Sequence, residues 1–321
     1  MASTYLTLVN NVLRDMNEVE LTSSNFTSSR GVQTTVKDYI NRAISDILNS
    51  ELNWPFTRAE GSVDAIAGKQ LYSFASIAST LKYIDYDNVF LQPKDYIRNG
   101  DFEIAGSASI TNWTTVSGTP AASSKFGNTL LLTSAKATQQ VDDLIVGKSY
   151  VVLVQTSGST LTLDIGTSSG GTQTKSSTLT IASGNEVLLS EITFTATATT
   201  HYVTFTESGG SAAYVKLVQL MENIKAIPLK YLSYEEYNER YRERDAAPDT
   251  DKFADPEYVY TTYNDELGLT PIPDTSNRTI KFDYYVTNTD LSAHDDTGII
   301  PTRFESIVNA RAKYYTYMFR S

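Results

Sequence analysis

The spacing of apolar residues predicts three amphipathic helices close to the two ends of the chain. In residues 4–18, Tyr5, Leu8, Val9, Val12 and Met16 recur at helical spacing, with Ser3 the expected cap. Residues 32–52 form a longer helix with Val36, Tyr39, Ile40, Ala43, Ile47 and Leu48 on one stripe. Trp54-Pro55-Phe56 ends it, because a residue before proline is pushed out of the helical region. A last helix starts at Pro301 or Thr302 and carries Phe304, Ile307, Val308, Arg311, Tyr314, Tyr315 and Met318 along one side. The first two helices leave their apolar stripes uncovered, and the last is expected to supply the third partner of a bundle.

Between them the period changes to two. Short strands are expected at 70–74 and 83–91, a hairpin at 257–263 and 267–270, and a clear strand at 278–286. In that strand Ile280, Phe282, Tyr284 and Val286 face one way, and Lys281, Asp283 and Tyr285 the other. Within 99–220 the pattern is all-β, with strands expected near 101–104, 129–132, 149–156, 160–165, 177–181, 187–195, 201–207 and 214–220. Short strands at such regular spacing predict a sandwich or jelly roll, with Trp113 in its core. After it comes IPLKYLSYEEYNERYRERD at 227–245. Ser233 followed by Glu236 forms a capping box, and Leu232 with Tyr237 a hydrophobic staple. Tyr234, Tyr237 and Tyr241 fall on one helical face, expected to pack within the domain or against a neighbouring subunit, and Glu236–Arg240 and Glu239–Arg242 on the other.

Composition divides the chain in the same places. Residues 98–220 hold six Lys/Arg against eight Asp/Glu, a net of −2, and only three of the 21 tyrosines, while Ser and Thr make up nearly a third. The flanks keep the remaining −9 of a total of −11. This predicts an α+β protein in which 1–97 and 221–321 form one discontinuous domain, a helical layer over small antiparallel β elements. It is interrupted by an inserted β-sandwich or jelly-roll domain at 98–220.

The acidic balance and the lack of a Lys/Arg cluster argue against a surface that coats nucleic acid. There are no cysteines, hence no disulfide or thiolate chemistry. No basic segment followed by an apolar run begins the chain, and no stretch is long enough to cross a membrane, so a soluble protein is expected. The two histidines, His201 and His294, lie far apart, and no GxSxG occurs. GTSSGG at 166–171 lacks the Lys-Ser/Thr of a phosphate loop and reads as a turn. Asp142-Asp143 and Asp295-Asp296 are adjacent carboxylates in loops, without the spacing of an acid/base pair. With no leader expected, the sequons at Asn25, Asn112 and Asn277 read as chance matches. No enzyme and no cofactor are expected.

Two resemblances follow from these residues. Asn-Gly-Asp-Phe-Glu at 99–103 with Trp113 resembles the opening of carbohydrate-binding jelly-roll modules, and Tyr-Val-Lys-Leu-Val-Gln-Leu at 214–220 their final strand. Many such modules carry an acidic residue where Lys216 stands, helping to hold a structural calcium. The resemblance leaves Glu103 as a weak calcium candidate and implies no glycan-binding residues. With the middle removed, the order of helix, long helix ending in Asn53-Trp54-Pro55-Phe56, YIDYD at 83–87, YLSYEEY at 231–237, IKFDYY at 280–285 and IPTRF at 300–304 resembles the head-to-tail adaptors of short-tailed phages, the tail tubular protein A group.

That resemblance implies a virion structural protein of the phage neck, assembled in the host cytoplasm. Its copies would form a homo-oligomeric, twelve-membered ring joining the portal protein to the tail nozzle or tube, with tail fibres as further candidate partners. Genome DNA would pass its acidic lumen during ejection without specific binding. Subunit or portal contacts are expected from Tyr234, Tyr237, Tyr241, Phe304, Arg311 and Tyr315, since tyrosine is enriched at interfaces. The last helix runs to Arg320, so portal contact is expected from helices or loops rather than a long C-terminal tail. The alternative is a glycan-binding or fibre-anchoring phage protein in which the jelly roll does the main work.

Overall fold

The computed structural model describes residues 3–51, 53–180, 187–248 and 250–320. Leu52, at the expected end of the second helix, and Ile181, at the expected end of a sandwich strand, lie outside them. The chain forms two compact units. One comprises Met1–Leu91, Pro228–Ser276 and Ile280–Ser321, the other Gln92–Ile227 with Asn277–Thr279.

In the first unit, α1 (Tyr5–Asp15) and α2 (Val32–Ser50) bury Tyr5, Leu8, Val9, Val12, Val36, Ile40 and Ala43 in one cluster. Thr4, not Ser3, caps α1, its hydroxyl accepting from the Thr7 N–H at 3.3 Å. Ser3 is drawn away because its N–H and hydroxyl both donate to the Glu305 carboxylate, at 2.6 and 2.7 Å. On α2 the fully buried stripe runs through Ile44, while Tyr39 and Ile47 sit half-buried at its edges. The polar loop between the helices is pinned by Phe26, which is fully buried with its ring edge-on to Tyr5 and Lys37 Nζ 4.3 Å from its centroid.

The β part of this unit holds Arg278–Val286 between Arg58–Asp64 and Leu81–Pro93. A second sheet runs in the order Lys230–Tyr231, Tyr258–Thr261, Glu266–Thr270, Leu71–Ser73. Ile84, Leu91, Val259, Leu267, Ile280 and Phe282 share their core. Phe74, expected to end a strand, instead opens the one-turn helix α3 (Phe74–Ile77). In Arg278–Val286 the expected alternation slips at the end: Tyr284 is half-buried while Tyr285, placed by pattern on the polar face, is buried beside Tyr83. Three helices follow in this unit. They are α4 (Tyr234–Arg240), α5 (Arg242–Ala246) and, after a 3-10 turn at Thr302–Phe304, α6 (Glu305–Arg320). Val308 and Ala312 of α6 join the α1–α2 cluster as the third side of the bundle.

The second unit is a sandwich of two five-stranded antiparallel sheets. One runs Leu188–Thr195, Ser149–Gly158, Ala213–Glu222, Thr129–Leu132, Ala121–Ser123; the other Lys175–Leu179, Leu161–Gly166, His201–Thr206, Lys136–Val141, Thr114–Ser117. Trp113 is buried between Phe102 and Phe205, at centroid distances of 5.5 and 5.7 Å, and its indole N–H donates to the Asn99 carbonyl. The unit begins at Gln92 and reaches Ile227, a few residues outside 98–220 at each end. Three strands of the two five-stranded sheets escaped the pattern reading. Lys136–Val141 was hidden because KATQQV reads as polar, although Thr138 and Gln139 are buried. Thr114–Ser117 and Ala121–Ser123 carry little apolar signal, and the expected strand at 101–104 shrinks to Glu103–Ile104 paired with Ser107–Ala108.

Candidate functional site

The capped stretch that reopens the first unit has the expected start. Ser233 Oγ accepts from the Glu236 N–H at 3.2 Å, and Glu236 accepts from the Ser233 N–H at 3.3 Å. The helix is shorter than its pattern, breaking at Tyr241 into α4 and α5. Tyr237 is buried and stacks on Tyr260 with centroids 3.9 Å apart, a contact that needs Gly268 opposite, where a Cβ would lie 2.2 Å from the Tyr260 ring. Burial, with the neighbouring Tyr237 next, pushes the Tyr260 hydroxyl far above the usual phenol range, so it stays protonated. Beneath the rings, the buried Asp245 carboxylate accepts from Arg244, Thr270 Oγ1 and the Gln70 amide, which also donates to Tyr237 Oη. Tyr237 is therefore used up inside its own chain. Tyr234 and Tyr241 are half-buried, against Tyr260 and Tyr258 respectively.

On α6 the expected apolar side divides in two. Val308 and Ala312, together with Thr316, face the bundle. Phe304 lies against Phe56, and Tyr315 donates to Asp46 while accepting from Arg311 Nε at 2.8 Å. Arg311 also pairs with Asp46 at 3.5 Å, and Arg42 lies over the Tyr315 ring. Phe304, Arg311 and Tyr315 thus serve contacts within their own chain. Ile307, Tyr314, Tyr317, Met318 and Phe319 are exposed, and of these Ile307, Tyr314 and Met318 share one side, a turn or two apart. At 100° per residue, 307, 314 and 318 centre about 140° round the helix from 308, 312 and 316, but the spacing alone does not say which side faces inward.

A third feature lies on the outward face of the sandwich sheet, where strand register aligns Ser176, Asp164, Thr204 and Thr138 across four strands. Ser176 donates to Asp164 at 2.6 Å, and Thr138 and Thr204 share a hydrogen bond of 2.8 Å. The loop after Leu161–Gly166 reaches toward this face, its Gly170 carbonyl accepting from Lys136 Nζ at 2.8 Å. Sequence reasoning missed this row, because alternating Ser and Thr give no apolar signal and the pairing order is non-local. Glu103 accepts from the Asn128 amide at 2.7 Å and shares a shallow pocket with Asp101 and Lys216. Among the described residues no group of three or more His, Asp or Glu is gathered to hold a metal, and no helix is long and apolar enough to cross a membrane.

Comparison with known proteins divides along the chain. Residues 179–321, just under half of it, match the family described as SU10 adaptor protein. No curated protein sequence matches the chain. Solved structures with a similar part include the enzymatically active domain of tailspike protein 4 from bacteriophage CBA120, at 16% identity and TM-score 0.32, covering 40% of this chain and 21% of that one. TmCBM61 in complex with β-1,4-galactotriose gives 16% identity and TM-score 0.32, covering 40% and 99% of the two chains. A family 16 carbohydrate-binding module gives 12% and 0.29, covering 37% and 98%. Likeness at these scores has no bearing on function, and the sandwich stands on its own strand order.

Proposed function

We propose that this protein is a non-catalytic structural component of a tailed-phage virion, an adaptor that forms a ring between the portal and the tail nozzle or tube. The observation that carries this reading is the adaptor-family match over 179–321, a stretch that includes α4, α5 and α6. It is supported by the three-helix bundle, in which α6 packs on α1 and α2 from the other end of the chain. A net charge of −11 suits a passage for DNA, because like charges keep the genome from adhering. Imaging purified virions with an antibody or gold label against this chain tests the reading. Label is expected at the neck, in a ring of about twelve copies; label on the capsid shell or at fibre tips, or none, overturns it.

A second reading is favoured by Gln140, an exposed amide on the same sheet face beyond the buried row of Asp164, Thr138 and Thr204, and suited to sugar hydroxyls. In it the sandwich binds glycan or anchors a fibre. Tyr202 lies one register step along the same face and would supply an aromatic ring. A glycan array probed with the full chain is expected to show binding that Tyr202→Ala abolishes; a blank array removes this reading.

A further inference from the structure

Asn99-Gly100 is the only Asn-Gly pair in the chain, and it lies at the start of the sandwich. The Asn99 amide nitrogen donates to the carbonyls of Ser109 and Thr111, each at 3.0 Å. Its backbone carbonyl accepts from the Trp113 indole N–H at 3.2 Å. Its φ is +52°, in the left-handed region that asparagine tolerates better than most residues. Gly100 follows where no side chain fits. A Cβ there would lie 2.0 Å from the Val218 carbonyl oxygen, and the Gly100 carbonyl accepts from the Val218 N–H at 2.8 Å. Two acceptors thus require the asparagine, and lack of room requires the glycine.

The same pair is chemically labile, because a glycine leaves its own backbone nitrogen free to reach the asparagine side chain. A bond forms between Gly100 N and Asn99 Cγ as that nitrogen gives up its proton. The bond from Cγ to the amide nitrogen breaks, and ammonia leaves. Water then opens the cyclic imide to aspartate, or to isoaspartate, whose main chain runs through the side chain and is one carbon longer. Water is the only other reactant.

The fold opposes this step. Two hydrogen bonds hold the Asn99 amide, and the contact with Val218 holds Gly100, so ring closure has to break native contacts. In the unfolded chain nothing holds either group. Nor does the product fit the native place. One carboxylate oxygen would replace the amide nitrogen and face the carbonyls of Ser109 and Thr111, acceptor against acceptor. The other would stand where Asn99 Oδ1 is buried without a donor among the described residues, a position that cannot compensate a charge. Isoaspartate would add its extra carbon beside Gly100, against the Val218 backbone.

We propose that Asn99 is a deamidation site shielded by the fold, and that conversion there bars the chain from closing the sandwich. Folding then competes with a one-way chemical step, and a chain that lingers unfolded is withdrawn from the pool able to assemble.

The test uses the full-length chain, incubated at mildly alkaline pH both in native buffer and in guanidinium chloride, with position 99 followed by peptide mapping. Conversion is expected to be at least about tenfold slower in the native chain; equal rates overturn the shielding. A partly converted unfolded sample is then returned to native buffer, and the folded fraction is isolated by size exclusion. That fraction is expected to carry unmodified asparagine, and one that carries converted chains in the input proportion overturns the block. Asn99→Gly and Asn99→Asp separate the lost amide from the added carboxylate. Asn99→Gly keeps the positive φ and is expected to fold with a lowered thermal midpoint, and Asn99→Asp to fall further or fail to fold. Equal midpoints for the two variants overturn the carboxylate as the cause.

Discussion

His201 shows how one side chain sets a pH limit on the sandwich. Its imidazole is fully buried, with its ring against Phe194. Burial pushes its pKa below the ordinary value. The unfolded chain therefore binds the proton more tightly than the folded one. The contribution to stability is complete above about pH 6.5 and is lost as the pH falls from there toward the depressed folded value. Thermal midpoints measured from pH 7.5 to 5 are expected to decline in the parent, by no more than about 1.4 kcal/mol of stability per pH unit from this group. His201→Gln is expected to lower the midpoint at neutral pH and flatten the decline. At the other capped helix, Ser233→Ala removes one half of the box and is expected to cost about 1 kcal/mol in denaturant titration.

At the scale of elements, Gly268 is the position that fixes how α4 lies on its sheet. A Cβ there would meet the Tyr260 ring at 2.2 Å and force it off Tyr237. Gly268→Ala is expected to cost about 1–3 kcal/mol and to reduce the tyrosine near-ultraviolet circular dichroism. A variant with unchanged signal would mean that the stack tolerates the shift. What could be read from sequence divides along the same line. Helical spacing identified α1, α2 and α6, and the Ser233–Glu236 box identified α4, because those signals are local. The strand Lys136–Val141 could not be read, since Thr138, Gln139 and Gln140 hide a buried strand behind polar letters. Nor could the direction of α6 be read. Ile307 and Val308 look equivalent in a list of apolar residues, and only the position of α1 and α2 distinguishes inside from outside. The contacts of the candidate interface residues inside the chain could not be read either, because the partners lie far away in sequence: Tyr260 for Tyr237, and Asp46 for Tyr315 and the still half-exposed Arg311.

For the whole molecule, two separately packed units predict two separable unfolding events. Calorimetry is expected to resolve them. Trp113→Ala should lower one transition, by a destabilisation of about 3–5 kcal/mol, and Ile40→Ala the other, by about 2–5 kcal/mol. A single transition moved equally by both would refute independent cores. The bundle has a further property, because its third side is made last. α1 and α2 leave the ribosome some 250 residues before α6 does, a delay of roughly 10–50 s at ordinary rates of synthesis. During that interval the sandwich has all but Asn277–Thr279 of its chain and is free to fold, while the first two helices wait with Val9, Val12, Ile40 and Ala43 uncovered. The nascent chain is then half finished and half adhesive, so α1 and α2 are its natural point of engagement for a chaperone. Limited proteolysis of ribosome-bound chains halted before residue 300 should find the sandwich resistant and the helices cut.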